Sequence, residues 1–163
     1  MVENPRQSFV DHLESDLRHL ILTQSTAVLR VAIPCFCGLA KLMGHHTGPL
    51  QLLKSFLAFL DKHAKAKTTL TVPIKKALLR SLFSCGLLVK FFNFDPVDAN
   101  ISDRTLKDVA GYVMHSDNVI VRTAIQSMCF GFSRKPTAIL GMMKVIRHSL
   151  SDKVGVKVQV QSY

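Results

Sequence analysis

Asp117-Asn118-Val119-Ile120-Val121-Arg122-Thr123-Ala124 and, 35 residues on, Asp152-Lys153-Val154-Gly155-Val156-Lys157-Val158 decide how the chain folds. Each stretch opens with an aspartate, which can cap a helix by accepting from first-turn amides and complements the helix dipole. Five positions later stands a base, Arg122 or Lys157, expected at the turn region, while the β-branched residue beside it is expected in the core. Two earlier stretches follow the same plan: Ser25 precedes Leu29-Arg30-Val31-Ala32, and Thr71 precedes Ile74-Lys75-Lys76-Ala77. By local alternation alone Val154–Val160 reads as a strand, but a lone strand has no partner in a helical chain, so helix is predicted there too.

The aligned bases Arg30, Lys75, Arg122 and Lys157 are spaced by 45, 47 and 35 residues, the period of helical-pair repeats of HEAT or armadillo type. Working outward, apolar residues recur at helical spacing nearly everywhere. Phe9, Leu13, Leu17, Leu20 and Ile21 predict one buried face of a first helix. A second helix runs from Ser25 or Thr26 to about Met43, ended by Gly44 and Gly48 and kinked at Pro34. A third starts at Pro49 and ends near Ala64; a fourth opens at Pro73 and runs to Phe92. After a loop over 93–100, Ser102 or Asp103 is expected to cap a fifth helix ending near His115. Asp117 opens a sixth, with Val121, Ile125, Met128 and Phe132 inward. Pro136 opens a seventh to about Leu150, and a last one begins at Asp152. The predicted fold is all-α: antiparallel helical pairs over 6–43, 49–92, 103–133 and 136–163, stacked as one solenoid region over 1–163.

Composition agrees. The 163 residues are 48% apolar and 20% charged, globular rather than disordered. A mean hydropathy of +0.23 is high, as expected for helices covered on two sides by neighbours. The charge-free runs Val31–Ala40 and Leu42–Leu53 fall short of the roughly 18–20 apolar residues of a membrane span. Glu3, Asp11, Glu14 and Asp16 near the start leave no basic-then-apolar leader. No membrane association and no secretion are predicted. Cys35, Cys37, Cys85 and Cys129 sit among apolar neighbours and read as reduced core residues, pointing to cytosol or nucleus.

Catalysis finds no foothold in these residues. Nucleotide-loop, hydrolase-elbow and metalloprotease motifs are all missing. Cys35, Cys37, His45 and His46 form the one cluster of metal-ligand types, but residues two apart on a helix point about 200° apart and cannot share one zinc. No enzyme activity, cofactor or metal is predicted. Charge is more informative: 21 bases face 11 acids, a net +10. Lys54–Lys90 holds eight bases and one acid, and Arg134–Lys157 six bases and one acid, whereas 1–22 and 93–123 are each net −2. Lys62, Lys65, Lys67, Lys75 and Lys76 would gather near one edge of the array, where they could contact duplex phosphates without reading bases. A solvated face is the competing reading.

Particular residues also carry a resemblance. Lys76-Ala77-Leu78-Leu79-Arg80-Ser81-Leu82-Phe83, then Gly86, then Phe92-Asn93-Phe94-Asp95, closely resemble a segment of the Nipped-B family of cohesin loading factors. His115-Ser116-Asp117, Thr123-Ala124-Ile125, Gly131-Phe132, Leu150-Ser151-Asp152-Lys153 and Val156-Lys157-Val158-Gln159-Val160 follow in the same order. The match keeps its spacing over 76–160 and extends more sparsely over 8–64. It departs from the family in a shorter Lys65–Thr71 connection and in Asn93, where an acid is usual. The resemblance implies a slice of a hook-shaped HEAT solenoid that loads the cohesin ring onto chromosomes in the nucleus. Its implied partners are cohesin subunits and double-stranded DNA or chromatin, with the loader's partner subunit bound by a region absent here. The family stimulates the cohesin ATPase without being one. Two other readings stay open: a scaffold or transport adaptor of the same architecture without DNA binding, and an enzyme with an unrecognised helical site.

Overall fold

The computed structural model describes residues 5–65, 69–133, 137, 140–144 and 146–148. Among them are six α-helices and no strand: α1 (Pro5–Thr23), α2 (Thr26–Met43), α3 (Thr47–Lys65), α4 (Val72–Phe91), α5 (Ile101–Ala110) and α6 (Asn118–Phe132). A 3-10 turn, Gly111–Met114, extends α5. Residues 140–144 and 146–148 are helical as well. Asp152, Lys157 and the helix expected over 151–163 lie outside the described residues, as do Pro136 and Leu150.

Local chemistry sets these boundaries. The Thr71 hydroxyl accepts from the Ile74 amide at 3.4 Å to start α4, with Pro73 in the first turn. At Gly44 the backbone turns left-handed (φ 68°), and the amides of Gly44 and His45 close on the carbonyls of Lys41 and Ala40, ending α2. Gly48 belongs to the first turn of α3, which starts two residues ahead of Pro49. The fifth helix is preceded by Asn100 rather than capped by Ser102 or Asp103. The Ser102 hydroxyl instead donates to Asp95 Oδ1 at 2.8 Å and fixes the loop after α4. That loop is pinned from inside by Phe92 and Phe94, whose rings lie 4.8 Å apart in the core.

Successive helices pair, α1 with α2, α3 with α4 and α5 with α6, and the second members α2, α4 and α6 pack side by side with α4 in the middle. The position of α4 explains its composition: Ser81 to Val89 is buried at every residue, because helices cover it on all sides. Against α6 the approach is close enough to require glycine. A Cβ on Gly86 would stand 2.5 Å from Ser127 Oγ and 2.6 Å from Ser127 O, and one on Gly131 would stand 2.9 Å from Gly86 O. Ser127 donates to Leu82 O at 2.5 Å, tying the two helices by side chain to backbone. Centred on this seam, the inward face of α6 is Ile120, Thr123, Ala124, Ser127, Met128 and Phe132. The expected face shifts accordingly: Val121 and Ile125 are only half-buried. Small residues, which periodic hydropathy passes over, mark where α4 and α6 meet.

Two other expectations are corrected. Of the apolar face of α1 only Ile21 is buried, while Phe9 remains 68% exposed, because α1 packs chiefly on α2. Of the four cysteines only Cys37 and Cys85 are core residues; Cys35 and Cys129 are exposed. Helix α2 also matches a membrane span in length and hydropathy over Thr26–Met43, which counting charge-free runs overlooked because Arg30 and Lys41 interrupt it. Its buried stripe, Leu29, Ala32, Ile33, Phe36, Cys37 and Ala40, is taken up by packing between α1 and α4.

Candidate nucleic-acid interface

The base-rich window Lys54–Lys90 covers most of α3 and α4, and the fold sorts its charges. Lys54 Nζ lies 3.7 Å from Asp98 Oδ2 and links α3 to the loop before α5. Lys90 sits over the rings of Phe91 and Phe130, 5.2 and 5.6 Å from their centroids. Arg80 reaches the end of α1, its Nε donating to Gln24 O at 3.2 Å and its Nη2 to Thr23 O at 3.4 Å. These carbonyls at a helix end are acceptors the helix itself cannot satisfy.

Of the five lysines expected to meet phosphate, Lys75 is held by the fold. Its Nζ stands 2.8 Å from Asp117 Oδ2, an ion pair spanning the first turns of α4 and α6. Asp117 at the same time caps α6, with Oδ1 accepting from Val119 N at 2.9 Å and Ile120 N at 3.2 Å. The Lys75 ammonium, helped by the two backbone amides, holds the Asp117 carboxyl below its ordinary range. The aspartate and the base picked out as repeat positions thus meet across neighbouring repeats. Arg122, one turn into α6, is exposed.

The other lysines are disposed differently. Lys62 projects from the last turn of α3 and Lys76 from the first turn of α4; both are exposed, and neither forms an ion pair with another described residue. Lys65 closes α3, its side chain outside the description, and Lys67 lies wholly outside the described residues. The structure adds a feature that charge counting missed. Lys76, Leu79 and Arg80 form one wall of an open groove of about 320 Å³, and Thr23, Gln24, Ser25 and Thr26 form the other. Two bases one helical turn apart thus face three hydroxyl residues at the turn between α1 and α2, where Ser25 makes no side-chain capping bond. The signal for this groove was the spacing of Lys76 and Arg80, but its second wall comes from residues about 50 positions away. Among the described residues no three His, Cys, Asp or Glu side chains converge as a metal site would require. Cys35 and Cys37 differ in exposure as their opposed directions on α2 demand. Burial pushes the Cys37 thiol up to about 12, and it is not poised as a nucleophile at neutral pH.

The chain is similar over its whole length to Nipped-B-like proteins. It is 27% identical to Nipped-B-like protein of Homo sapiens and 28% identical to that of Mus musculus, each over 182 aligned positions covering 98% of this chain. Nipped-B-like protein A of Danio rerio is 25% identical over 190 positions covering 100% of it. The chain spans only 6–8% of the length of these relatives. The aligned positions outnumber the 163 residues, so the relatives carry insertions relative to this chain. No family model and no solved structure matches it.

Proposed function

We propose that the chain serves as a segment of a cohesin loader, helping to place the cohesin ring on chromatin in the nucleus. The observation that carries this reading is the similarity to Nipped-B-like proteins along 98% of the chain. The array supplies surfaces rather than chemistry: it acts by contacting DNA and cohesin, and any ATP hydrolysis it stimulates is cohesin's own.

For the DNA contact, the net charge of +10 supplies long-range attraction. Exposed Lys62 and Lys76 and the groove residue Arg80, together with Lys65 and Lys67 from the sequence between α3 and α4, supply the phosphate partners. Lys75 stays with Asp117. Each phosphate neutralised contributes about 0.9 to the fall of log affinity with log salt, so four or five contacts give a slope near −4, with little sequence preference. Reversing Lys62, Lys65, Lys67 and Lys76 to Glu is expected to abolish duplex binding at low salt with helicity unchanged. Undiminished binding by that variant would mean that these lysines are a solvated face. The chain would then fit the scaffold reading, in which the array binds proteins alone.

A further inference from the structure

We infer that the outward face of α2, together with the seam where Arg30 reaches α6, is a docking surface for an acidic amphipathic segment of a partner protein. Charge is sorted by layer in this chain. The helices that pack side by side, α2, α4 and α6, contain bases but not one aspartate or glutamate, whereas α1, α3 and α5 each carry both signs. Lys75 is answered by Asp117 at the start of α6. Arg30 and Lys90 ion-pair with no described residue and rest on rings instead. The Arg30 guanidinium lies 5.2 Å from the centroid of Phe83 on α4 and 5.4 Å from that of Phe130 on α6, and Lys90 Nζ lies 5.6 Å from the same Phe130. Contact with a ring positions these charges without neutralising them.

The face beside them is apolar. Val31, Cys35, Gly38 and Leu42 recur at helical spacing and share one side of α2. Val31 is 68% and Leu42 82% exposed, Cys35 and Gly38 are exposed as well, and a Cβ on Gly38 would meet nothing within 4 Å. Arg30 and Lys41, which fall on the same side of the helix as each other, border this stripe. Towards α1 the charged neighbour of α2 is Glu14, beside Phe36 and Leu39, and Arg18 pairs with it at 3.1 Å. The uncompensated border of the stripe is therefore basic. An occupant that matches it carries apolar side chains at helical spacing and acids along one flank. Nucleic acid matches less well: Phe83 and Phe130 already carry cations and offer no free stacking platform, and exposed valine and leucine give a phosphate backbone nothing to bind. A lipid surface is served poorly too, because the wider apolar face of α2 is spent on α1 and α4. The surface uses none of the lysines assigned to DNA above, so its test is independent of that reading.

The probe is a fluorescently labelled helical peptide of leucine and glutamate, with leucine at every third or fourth position, and its counterpart with glutamine for glutamate. Fluorescence anisotropy is expected to show the glutamate peptide binding, more weakly as salt is raised, and the glutamine peptide binding about tenfold less tightly. Arg30→Gln with Lys90→Gln is expected to lose about tenfold in affinity for the glutamate peptide. Lys107→Gln with Lys144→Gln, the same charge change at exposed bases off α2, α4 and α6, is expected to lose less than about twofold. Should loss of the ring contacts unfold the first variant, Val31→Glu places an acid in the stripe at an exposed position and is expected to weaken binding as much. In a Cys129→Ser chain, where Cys35 is the exposed thiol, bound peptide is expected to slow modification of Cys35 by a disulfide reagent. A glutamate peptide that does not bind, equal losses in the two double variants, or Cys35 modified at an unchanged rate overturns the proposal. So does an Arg30→Gln, Lys90→Gln protein that loses affinity for a DNA duplex or for phosphatidylserine vesicles but not for the peptide, which would give the face to nucleic acid or to lipid.

Discussion

Helices α1 and α4 are 19 and 20 residues long, and both read as apolar-faced from their sequences, yet they end in opposite circumstances. Ten residues of α4 are buried, on every side; in α1 Ile21 alone is. The difference comes from neighbours: α4 lies between α2 and α6 and also touches α3 and α5, whereas α1 packs chiefly on α2. In a stacked array a helix's hydropathy says how much it can bury, and its place in the stack says how much it does.

The largest expected effect separates the two helices by truncation. Leu82→Ala in α4 removes a side chain with no exposed surface and should cost about 2–5 kcal/mol in chemical denaturation. Phe9→Ala in α1 should stay within about 0.5 kcal/mol despite losing a larger group. Equal losses at the two sites would break the comparison.

Next comes the seam. Gly86→Ala forces a methyl group into the backbone of α6 and should cost about 2–3 kcal/mol, since Ser127 Cα and O cannot swing aside as a side chain would. Gly38→Ala, where a Cβ meets nothing within 4 Å, should instead stabilise α2 by about 0.5–1 kcal/mol. The two melts should therefore move in opposite directions.

A smaller effect attaches to the Lys75–Asp117 pair. Asp117→Ala should lower Tm by about 2–4 °C, through the lost cap and the lost partner of Lys75. The Asp117 carboxyl sits below its ordinary value in the folded chain, so its contribution is present at neutral pH. That contribution is lost as pH falls from the ordinary aspartate range, near 3.8, through the lower folded value. Acidification should destabilise the parent over that window more than it destabilises Asp117→Ala; parallel curves would show that the pair adds nothing. The smallest effect on stability, and the clearest on access, concerns the thiols. Under native conditions a disulfide reagent should modify Cys35 and Cys129 rapidly, and Cys37 and Cys85 only on unfolding.

These contrasts also show what was legible in the sequence. The starts of α4 and α6 were, because caps such as Thr71 and Asp117 act on amides within three residues of themselves; the starts of α3 and α5 were not. The all-α class and the stacking followed from period. What stayed hidden was decided by distant partners. The faces of α1 and α6 depend on what lies alongside, and the α4–α6 approach is written in Gly86, Ser127 and Gly131, which carry no hydrophobic signal. At the candidate site the bases could be counted, but their allocation could not. Lys75 goes to a residue 42 positions away and Arg80 to carbonyls more than 50 positions back. The Lys76–Arg80 groove exists only because α4 lies against the turn between α1 and α2.

The backbone contact at Gly86 and Gly131 has a mechanical consequence. Helices separated by layers of side chains can slide a little as rotamers exchange, and an array bends by summing such small shears. Where one backbone rests on another there is no layer to deform: inward motion meets the steric wall of Ser127 O and Gly86 O, and outward motion opens a void. The α4–α6 contact is therefore a stiff joint among the described helices, and compliance is displaced to the α1–α2 pairing and to the contacts of α5. Spin labels spanning α4 and α6 should report a narrow distance distribution, and labels spanning α1 and α4 a broader one. A load passing through these helices would be borne at the α4–α6 contact and absorbed in the looser pairings beside it.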